Sequence, residues 1–483
     1  MPRGLAPTHF PFAYMSTIRF GTDGWRAVIA EGYTDANLTL VARATAAWLH
    51  AQSDEPSVVI GHDTRFRGPE FARLVARVLG TLGVRVQLAE SYVTTPAVSW
   101  AALDGGHTAG LVITASHNPP SYNGFKIKAS YGGPASPEMI AAVEEELAAL
   151  TGEFEPKSYD ELAAAGVIDT FDLRAAYTEL LRERLDLETI KEAGVRVAFD
   201  AMYGAGQGIV ADLLGAPRVV ELHHDLNPGM HGQAPEPIER NLADLMEVVP
   251  AENCAMGMAV DGDADRIGLV DEEGAFVDSH KILALLTKYL HQEKGLSGSV
   301  VKTFSTTDML DHIGKQYRLD VETTPIGFKY IAPKMVEGDV LVGGEESGGI
   351  AVKGHVPERD GLFIGLTVLE MIVKRERTLS GLVRELMDEF GPHYQSRDDL
   401  HTTPERKEAV LAQLREKGLP TLNGHEVQET ETLDGFKFRL EEGWLMFRPS
   451  GTEPVLRIYS EARSQEEADA LVQAGVDFVR NGG

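Results

Sequence analysis

The stretch "SVVIGHDTRFRGPEFARLVARVLGTLGVRVQLAES" (57–91) decides the fold class. It opens on a short β-branched run that leads into a polar loop at "GHDTR". From Pro69 the apolar residues recur at helical spacing, and the pattern stops at Gly83. A second β-rich run, "VRVQLAES", follows at once. Strand, helix and strand in this order call for parallel strands with a helix laid across them. The rhythm continues into "GLVITASHNPP" (110–120) and returns three times downstream. "GVRVAFDAMYGAGQGIVADLLG" (194–215) reads as strand, glycine-rich loop and helix. "AMGMAVDGDADRIGLVDEEGAFVD" (255–278) reads as strand, acidic loop, strand, turn and strand. "SVVKTFSTTDMLDHIGKQYRLDVETTPIGFKYIAPKM" (299–335) reads as strand, helix, strand, loop and helix.

The tail changes character. From about Tyr394 it reads as a helix at "TPERKEAVLAQLREKG", short strands in "GFKFRLEEGWLMFRPSG" and "EPVLRIYSEA", and a last helix, "SQEEADALVQAGVDFVR". The expected fold is therefore α/β, with three similar mixed-sheet α/β domains and a smaller C-terminal α+β domain. The expected boundaries give domains at 16–172, 173–275, 276–388 and 389–483. Residues 1–15, "MPRGLAPTHFPFAYM", read as a disordered leader, because Met15 opens the more ordinary start "MSTIRFGTDGW".

Composition narrows the function. In 483 residues, 73 acidic side chains outnumber 45 basic ones, for a net charge of −28. Such a field repels nucleic acid and anionic membranes. It also repels phosphorylated ligands, so phosphate chemistry would need local clusters of Arg and Lys. No run is long enough for a membrane-spanning helix, and the leader lacks the apolar core of a signal peptide. Cys254 is the one cysteine. It cannot form an internal disulfide, and it reads as a small buried hydrophobe. The expected location is cytoplasmic, and the expected assembly is a monomer or homodimer.

"DGDADR" (261–266) is the sharpest local signal. Asp261, Asp263 and Asp265 alternate, so a curved loop turns three hard oxygen donors to one point, which suits Mg²⁺ or Ca²⁺. An EF-hand would place its last ligand at Glu272. It would also need glycine where Arg266 stands, and a helix where a strand precedes. A metal-free acidic turn is the plain alternative.

"TASHNPPSYNGFK" (114–126) holds Ser116. The flanking glycines of a hydrolase nucleophile are missing. Covalent adjacency argues against His117 acting as the base for Ser116. Pro119 and Pro120 stiffen the loop and remove donors, and Lys126 returns toward the same place after an Asn-Gly turn. "FRPSGTEPVLR" (447–457) brings Arg448, Ser450, Gly451, Thr452 and Arg457 to a sharp turn, either a phosphate nest or an ordinary hairpin. "VGGEESGGI" (342–350) offers Glu345 and Ser347 to sugar hydroxyls. "TTPIGFKYI" offers Lys329, and "RFGTDGWRA" offers Arg26.

With these motifs in this order, nearly the whole chain after the leader resembles the alpha-D-phosphohexomutase family. The resemblance rests on "TASHNPPSYNGFK", "DGDADR", "GEESGG" and "RPSGTEP". It implies four domains around a central cleft and a reversible shift of phosphate between O1 and O6 of a hexose. It implies that Ser116 carries the phosphoryl group, with glucose 1,6-bisphosphate as intermediate and activator. Mg²⁺ would be held by Asp261, Asp263, Asp265 and a serine-phosphate oxygen. Lys126 would be the general acid/base, its pKa depressed among cations. Arg448, Ser450, Gly451, Thr452 and Arg457 would clamp the idle phosphate, and Glu345 and Ser347 would read O3 and O4. Arg26, His117, Arg266 and Lys329 would line the reaction centre.

The chain departs from the pattern at Gly349, where the subgroup acting on both glucose and mannose phosphates carries histidine. His355 is the expected substitute. Glu346 stands where the glucosamine subgroup has glutamine, so glucose phosphate is the expected substrate, with mannose or glucosamine phosphate as the alternative. The competing classes are a metal-dependent phosphatase, which would release phosphate, and a non-catalytic sugar-phosphate or calcium binder.

Overall fold

The computed structural model describes residues 18–419, 421–422, 424–449 and 455–481. The expected leader, and Ser450, Gly451 and Thr452 of the phosphate loop, lie outside these residues. The opening stretch folds as its pattern dictates. Strand Ser57–His62 leads into helix Gly68–Thr81, which carries Pro69 in its first turn. Phe71, Ala72, Val75, Val78 and Leu79 all fall on one buried face. Burial of each of the larger ones contributes about 1.5–3 kcal/mol, so Val75→Asp would detach the helix.

Three sheets share one wiring plan. The plan opens on a central strand, Ser57–His62, Val197–Asp200 and Ser299–Thr303, which in the first sheet follows the edge strand Trp25–Val28. A second strand pairs parallel on one side: Arg85–Ala89, Val219–Leu222 and Val321–Thr324. A third pairs parallel on the other side: Ala109–Ile113, Met256–Val260 and Val340–Gly344. The chain then reverses into an antiparallel neighbour: Tyr122–Ala129, Ile267–Val270 and Ile350–Val352. Every residue of the three third strands is buried, which explains their unbroken apolar runs. The serine, acidic and sugar loops are therefore the same connection in three copies. Each links the third strand of the plan to its antiparallel neighbour, at a carboxyl end where α/β sheets gather their ligands.

The fourth sheet is antiparallel throughout, in the order Tyr394–His401, Val455–Ala462, Gly443–Pro449, Phe436–Leu440 and Glu429–Glu431. Its alternation sorts two faces. Phe438, Leu445, Phe447, Leu456 and Ile458 pack under helices Pro404–Lys417 and Gln465–Asn481. The other face carries Lys437, Arg439, Arg448 and Arg457, with Arg397 opposite Tyr459. That face meets the third unit. Phe304 and Ile326 pack against Trp444, Met446 and Tyr459, and Lys437 donates to the Phe304 carbonyl at 3.1 Å. Strand Tyr394–His401 is absent from the sequence reading, which begins the tail with a helix. Its residues, "YQSRDDLH", have no apolar alternation, because backbone pairing along all eight positions holds them in the sheet.

Candidate active site

The serine and acidic loops meet head-on. Ser116 Oγ donates to Asp261 Oδ2 at 2.6 Å, and Ser116 is 1% exposed. The other oxygen of Asp261 accepts the N–H groups of Asp265 (2.9 Å) and Arg266 (3.1 Å). Gly262 lets the loops close, since a Cβ there would stand 2.6 Å from the Ser116 carbonyl oxygen. Asp263 Oδ2 accepts from Thr95 Oγ1 at 2.5 Å. Burial, then Asp263 and Asp265, push the Asp261 carboxyl well above the usual range.

Lys126 is fully buried and lies among carboxylates. Its Nζ is 2.7 Å from Asp23, 2.7 Å from Asp263 and 2.9 Å from Asp265. This corrects the expectation of a lysine depressed by neighbouring cations. Burial does work to lower its pKa, but the three carboxylates outweigh burial and raise it. Lys126 is held as a cation.

Arg359, which sequence reading missed, completes the cluster. Its Nη2 donates to Asp265 at 2.6 Å and to Asp23 at 2.5 Å, and Nη1 reaches Glu345 at 3.4 Å. Beside it Glu358 pairs with Lys128 at 2.8 Å. Asp23, Lys128 and the Glu358–Arg359 pair sit far apart in the chain in unremarkable surroundings. The "ERDG" run at 358–361 was their one faint signal.

His117 stands beside the serine, whose hydroxyl is given to Asp261. Its Nδ1 lies 3.3 Å from Ser116 Oγ. Burial, with Arg266, Arg26, Lys126 and Arg65 nearby, holds the imidazole well below its usual range and therefore neutral. Arg26 donates to Asn118 Oδ1 at 2.7 Å. Beyond burial, the charge of Arg266 lowers the pKa of both Arg26 and His117.

His355 is not brought to the cluster. Its Nδ1 accepts from Arg184 at 2.9 Å, its Nε2 meets Asp360 at 2.7 Å, and its ring stacks on Phe363. Nδ1 is committed to the end of helix Leu173–Arg184 and Nε2 to Asp360, the N-cap of helix Gly361–Arg375, so His355 does not replace the histidine missing at 349. That place is taken up by Arg359 itself.

Glu345 is buried in a turn closed by its N–H to the Gly349 carbonyl at 2.9 Å, and Ser347 lies half-buried in the same turn. Burial pushes the Glu345 carboxyl up to about 7, against the pull of Arg359. Lys329 lines a cavity of about 200 Å³ with Asp23, Gly24 and Glu144. Arg448 donates to Asp434 at 3.1 Å, and Arg457 lies 3.9 Å from Asp399. Arg397, also missed, grips Asp399 with two bonds of 2.8 and 2.7 Å. Glu272, the last ligand of the EF-hand alternative, accepts instead from Ser380 at 2.5 Å.

The donor set fits a divalent cation. Donor atoms of Asp261, Asp263 and Asp265 lie within 4.8 Å of one another. Asp263 Oδ1 and Asp265 Oδ1 are buried with no hydrogen-bond partner, a cost that a hard cation would remove.

This fold and site belong to a known class. Family models described as Phosphoglucomutase/phosphomannomutase match in four parts: alpha/beta/alpha domain I at residues 17–153, domain II at 175–274, domain III at 278–390, and the C-terminal domain at 401–477. The chain belongs to the alpha-D-phosphohexomutase superfamily, a group of isomerases acting on sugar phosphates. It is 34% identical over 463 residues to the phosphoglucomutase/phosphomannomutase of Thermococcus kodakarensis, covering 95% of this chain and 98% of that protein. It is 30% identical over 430 residues to a phosphoglucosamine mutase of Methanococcus maripaludis, covering 88% and 92%. A crystal structure of a Thermus thermophilus protein described as a phosphomannomutase superposes with a TM-score of 0.84 at 35% identity, covering 96% and 99%.

Proposed function

We propose that the protein moves a phosphoryl group between O1 and O6 of a hexose phosphate through a phosphoserine at Ser116 and a bisphosphorylated sugar. The observation that carries this reading is Ser116 Oγ held 2.6 Å from a carboxylate of a buried acidic triad. Asp261, Asp263 and Asp265 would hold Mg²⁺ together with an oxygen of the serine phosphate. When bound, that ion supplies neutralising charge to the transferring group. Lys126 and Arg359 would add fixed positive charge beside it, and Lys126 would donate a proton to the departing oxygen. Arg26, Arg266, His117 and Lys329 line the approach, Glu345 and Ser347 take the sugar hydroxyls, and Arg448 and Arg457 hold the second phosphate. Ser450, Gly451 and Thr452 share that loop by sequence.

Glucose phosphate alone is too narrow a substrate reading. The relatives carry names for glucose/mannose and glucosamine phosphates, and the best supported choice is a mutase accepting both glucose and mannose phosphates. The test supplies Mg²⁺, a trace of glucose 1,6-bisphosphate, and glucose, mannose, glucosamine and N-acetylglucosamine phosphates in turn. Isomerisation and free phosphate are followed together, with intact mass to find one phosphate on Ser116. Dominant phosphate release would make the protein a phosphatase. Full activity in Ser116→Ala would end the phosphoserine reading.

A further inference from the structure

Ser116 adopts φ = 53°, in the left-handed region. For a residue with a Cβ this conformation is strained, and it persists only where the surroundings insist. Two hydrogen-bond circuits insist, and both end on one oxygen atom. The Ser116 N–H donates to Thr114 Oγ1 at 2.9 Å, and that hydroxyl donates to Asp63 Oδ2 at 2.6 Å. The Ser116 carbonyl accepts from Arg65 Nη2 at 2.6 Å, and Arg65 Nε donates to the same Asp63 Oδ2 at 3.1 Å.

The rest of the guanidinium serves the same loop. Nη2 also donates to the Asn118 carbonyl at 2.6 Å, and Nη1 to those of Pro119 (2.8 Å) and Tyr122 (3.0 Å). All five N–H groups are thereby used. A loop built on two consecutive prolines has few donors of its own and a surplus of carbonyls. Arginine is the side chain with enough donors in one rigid fork to satisfy them. Thr114 and Asp63 are fully buried, and Arg65 is 1% exposed. Unpaired, such a charge would be costly to bury. The Ser116 carbonyl is thus pinned between Arg65 on one side and Gly262 on the other.

We propose that Asp63, Arg65 and Thr114 form a positioning clamp that holds Ser116 left-handed and aims its Oγ at the acidic loop. The proposal rests on the reading of Ser116 as phosphoryl carrier. None of the three is a catalytic residue, because Thr114 and Arg65 act on the backbone of Ser116 and Asp63 acts through them. The clamp lets the side chain alternate between hydroxyl and phosphate ester while the backbone keeps one conformation.

The experiment compares Thr114→Val with Thr114→Ser, with Arg65→Lys as an independent second variant. Thr114→Val keeps the volume and removes both bonds of the hydroxyl, whereas Thr114→Ser keeps them. Thr114→Val and Arg65→Lys are expected to lower kcat about 10²-fold, the loss that a misplacement of about 1 Å brings. KM for the hexose phosphate should stay within about two-fold, as for a group outside the substrate site. Thr114→Ser should recover kcat. The phosphoserine ³¹P resonance of the protein as isolated should broaden or split in Thr114→Val and remain single in Thr114→Ser. Unchanged kcat and an unchanged resonance in Thr114→Val and Arg65→Lys would overturn the clamp. So would equal losses in Thr114→Ser and Thr114→Val. Wild-type protein without phosphate on Ser116, and fully active as Ser116→Ala, would instead remove the carrier reading itself.

Discussion

The stem of Arg359 runs through the space that a side chain at position 349 would fill. A Cβ on Gly349 would stand 2.3 Å from Arg359 Cδ and 3.1 Å from Glu345 Oε2. The glycine and the arginine are therefore one choice made at two positions. Arg359 can bridge Asp23 and Asp265 because residue 349 has no side chain. Gly349→His should displace the guanidinium and lower kcat/KM by about 10-fold or more, the scale of a lost charged hydrogen bond. Arg359→Ala should do the same. The double variant Gly349→His/Arg359→Ala should lose less than the sum, with a coupling of about 1 kcal/mol or more. Steady-state kinetics on the four proteins checks this, and strict additivity would refute it.

The acidic triad should make stability depend on a divalent cation. Chelation should abolish activity and added Mg²⁺ restore it. Thermal melts should show Mg²⁺ stabilising the wild type by about 2.7 kcal/mol at a hundred times its dissociation constant. Asp263→Asn should erase most of that gain, because one of the two unpartnered buried oxygens then lacks its charge. A Mg²⁺ response equal to wild type in Asp263→Asn would count against the assigned ligands.

Lys437 should leave a mark at alkaline pH. Its Nζ lies 4.0 Å above the Trp444 ring. Burial pushes the ammonium down to about 8, while Asp308 pulls it up. The folded protein therefore holds fewer protons than the unfolded chain between about 8 and the free value of 10.5. Stability from this group is present above the free value and is lost as pH falls through about 8. The difference in melting temperature between wild type and Lys437→Met should move across that window by the equivalent of roughly 1–3 kcal/mol. A flat difference would show that Lys437 stays charged throughout.

Glu345 should titrate in the opposite sense. Its folded pKa of about 7 lies above the free value of 4.5. Its stability contribution is full below the free value and is lost as pH rises through about 7. Glu345→Gln should thus gain stability over wild type at pH 8 and little at pH 4.5, as read by chemical denaturation. The same change should raise KM for the hexose phosphate by about 10-fold, the cost of one hydrogen bond to a charged group.

Much of the fold could be read from the chain because its signals are local. Continuous apolar runs marked the buried third strands, and helical spacing marked the layer above them. Strand Tyr394–His401 escaped because its order comes from backbone partners rather than from apolar side chains. The site divides in the same way. Ser116 and the Asp261, Asp263 and Asp265 set stand in compact motifs with a chemistry of their own. Asp23 and Arg359 become neighbours of Lys126 only when three chain segments fold together. Without Asp23, the surroundings of Lys126 read as cationic, and the sign of its shift came out reversed. His355 drew notice by lying near Gly349 in sequence, yet its side chain turns to Asp360.

The two-faced fourth sheet bears on how fast a ligand is caught. A protein of net charge −28 that gathers Arg397, Arg448 and Arg457 on one sheet face should work as an electrostatic funnel if that face takes the phosphate as proposed. The acidic remainder of the surface would then repel a sugar phosphate, and field lines would draw it toward this face. Such an advantage would belong to encounter and vanish once the ligand is bound. Added salt should therefore depress kcat/KM steeply and leave kcat nearly level, because a Debye length of about 8 Å at physiological ionic strength cuts off the long-range pull but not the contacts.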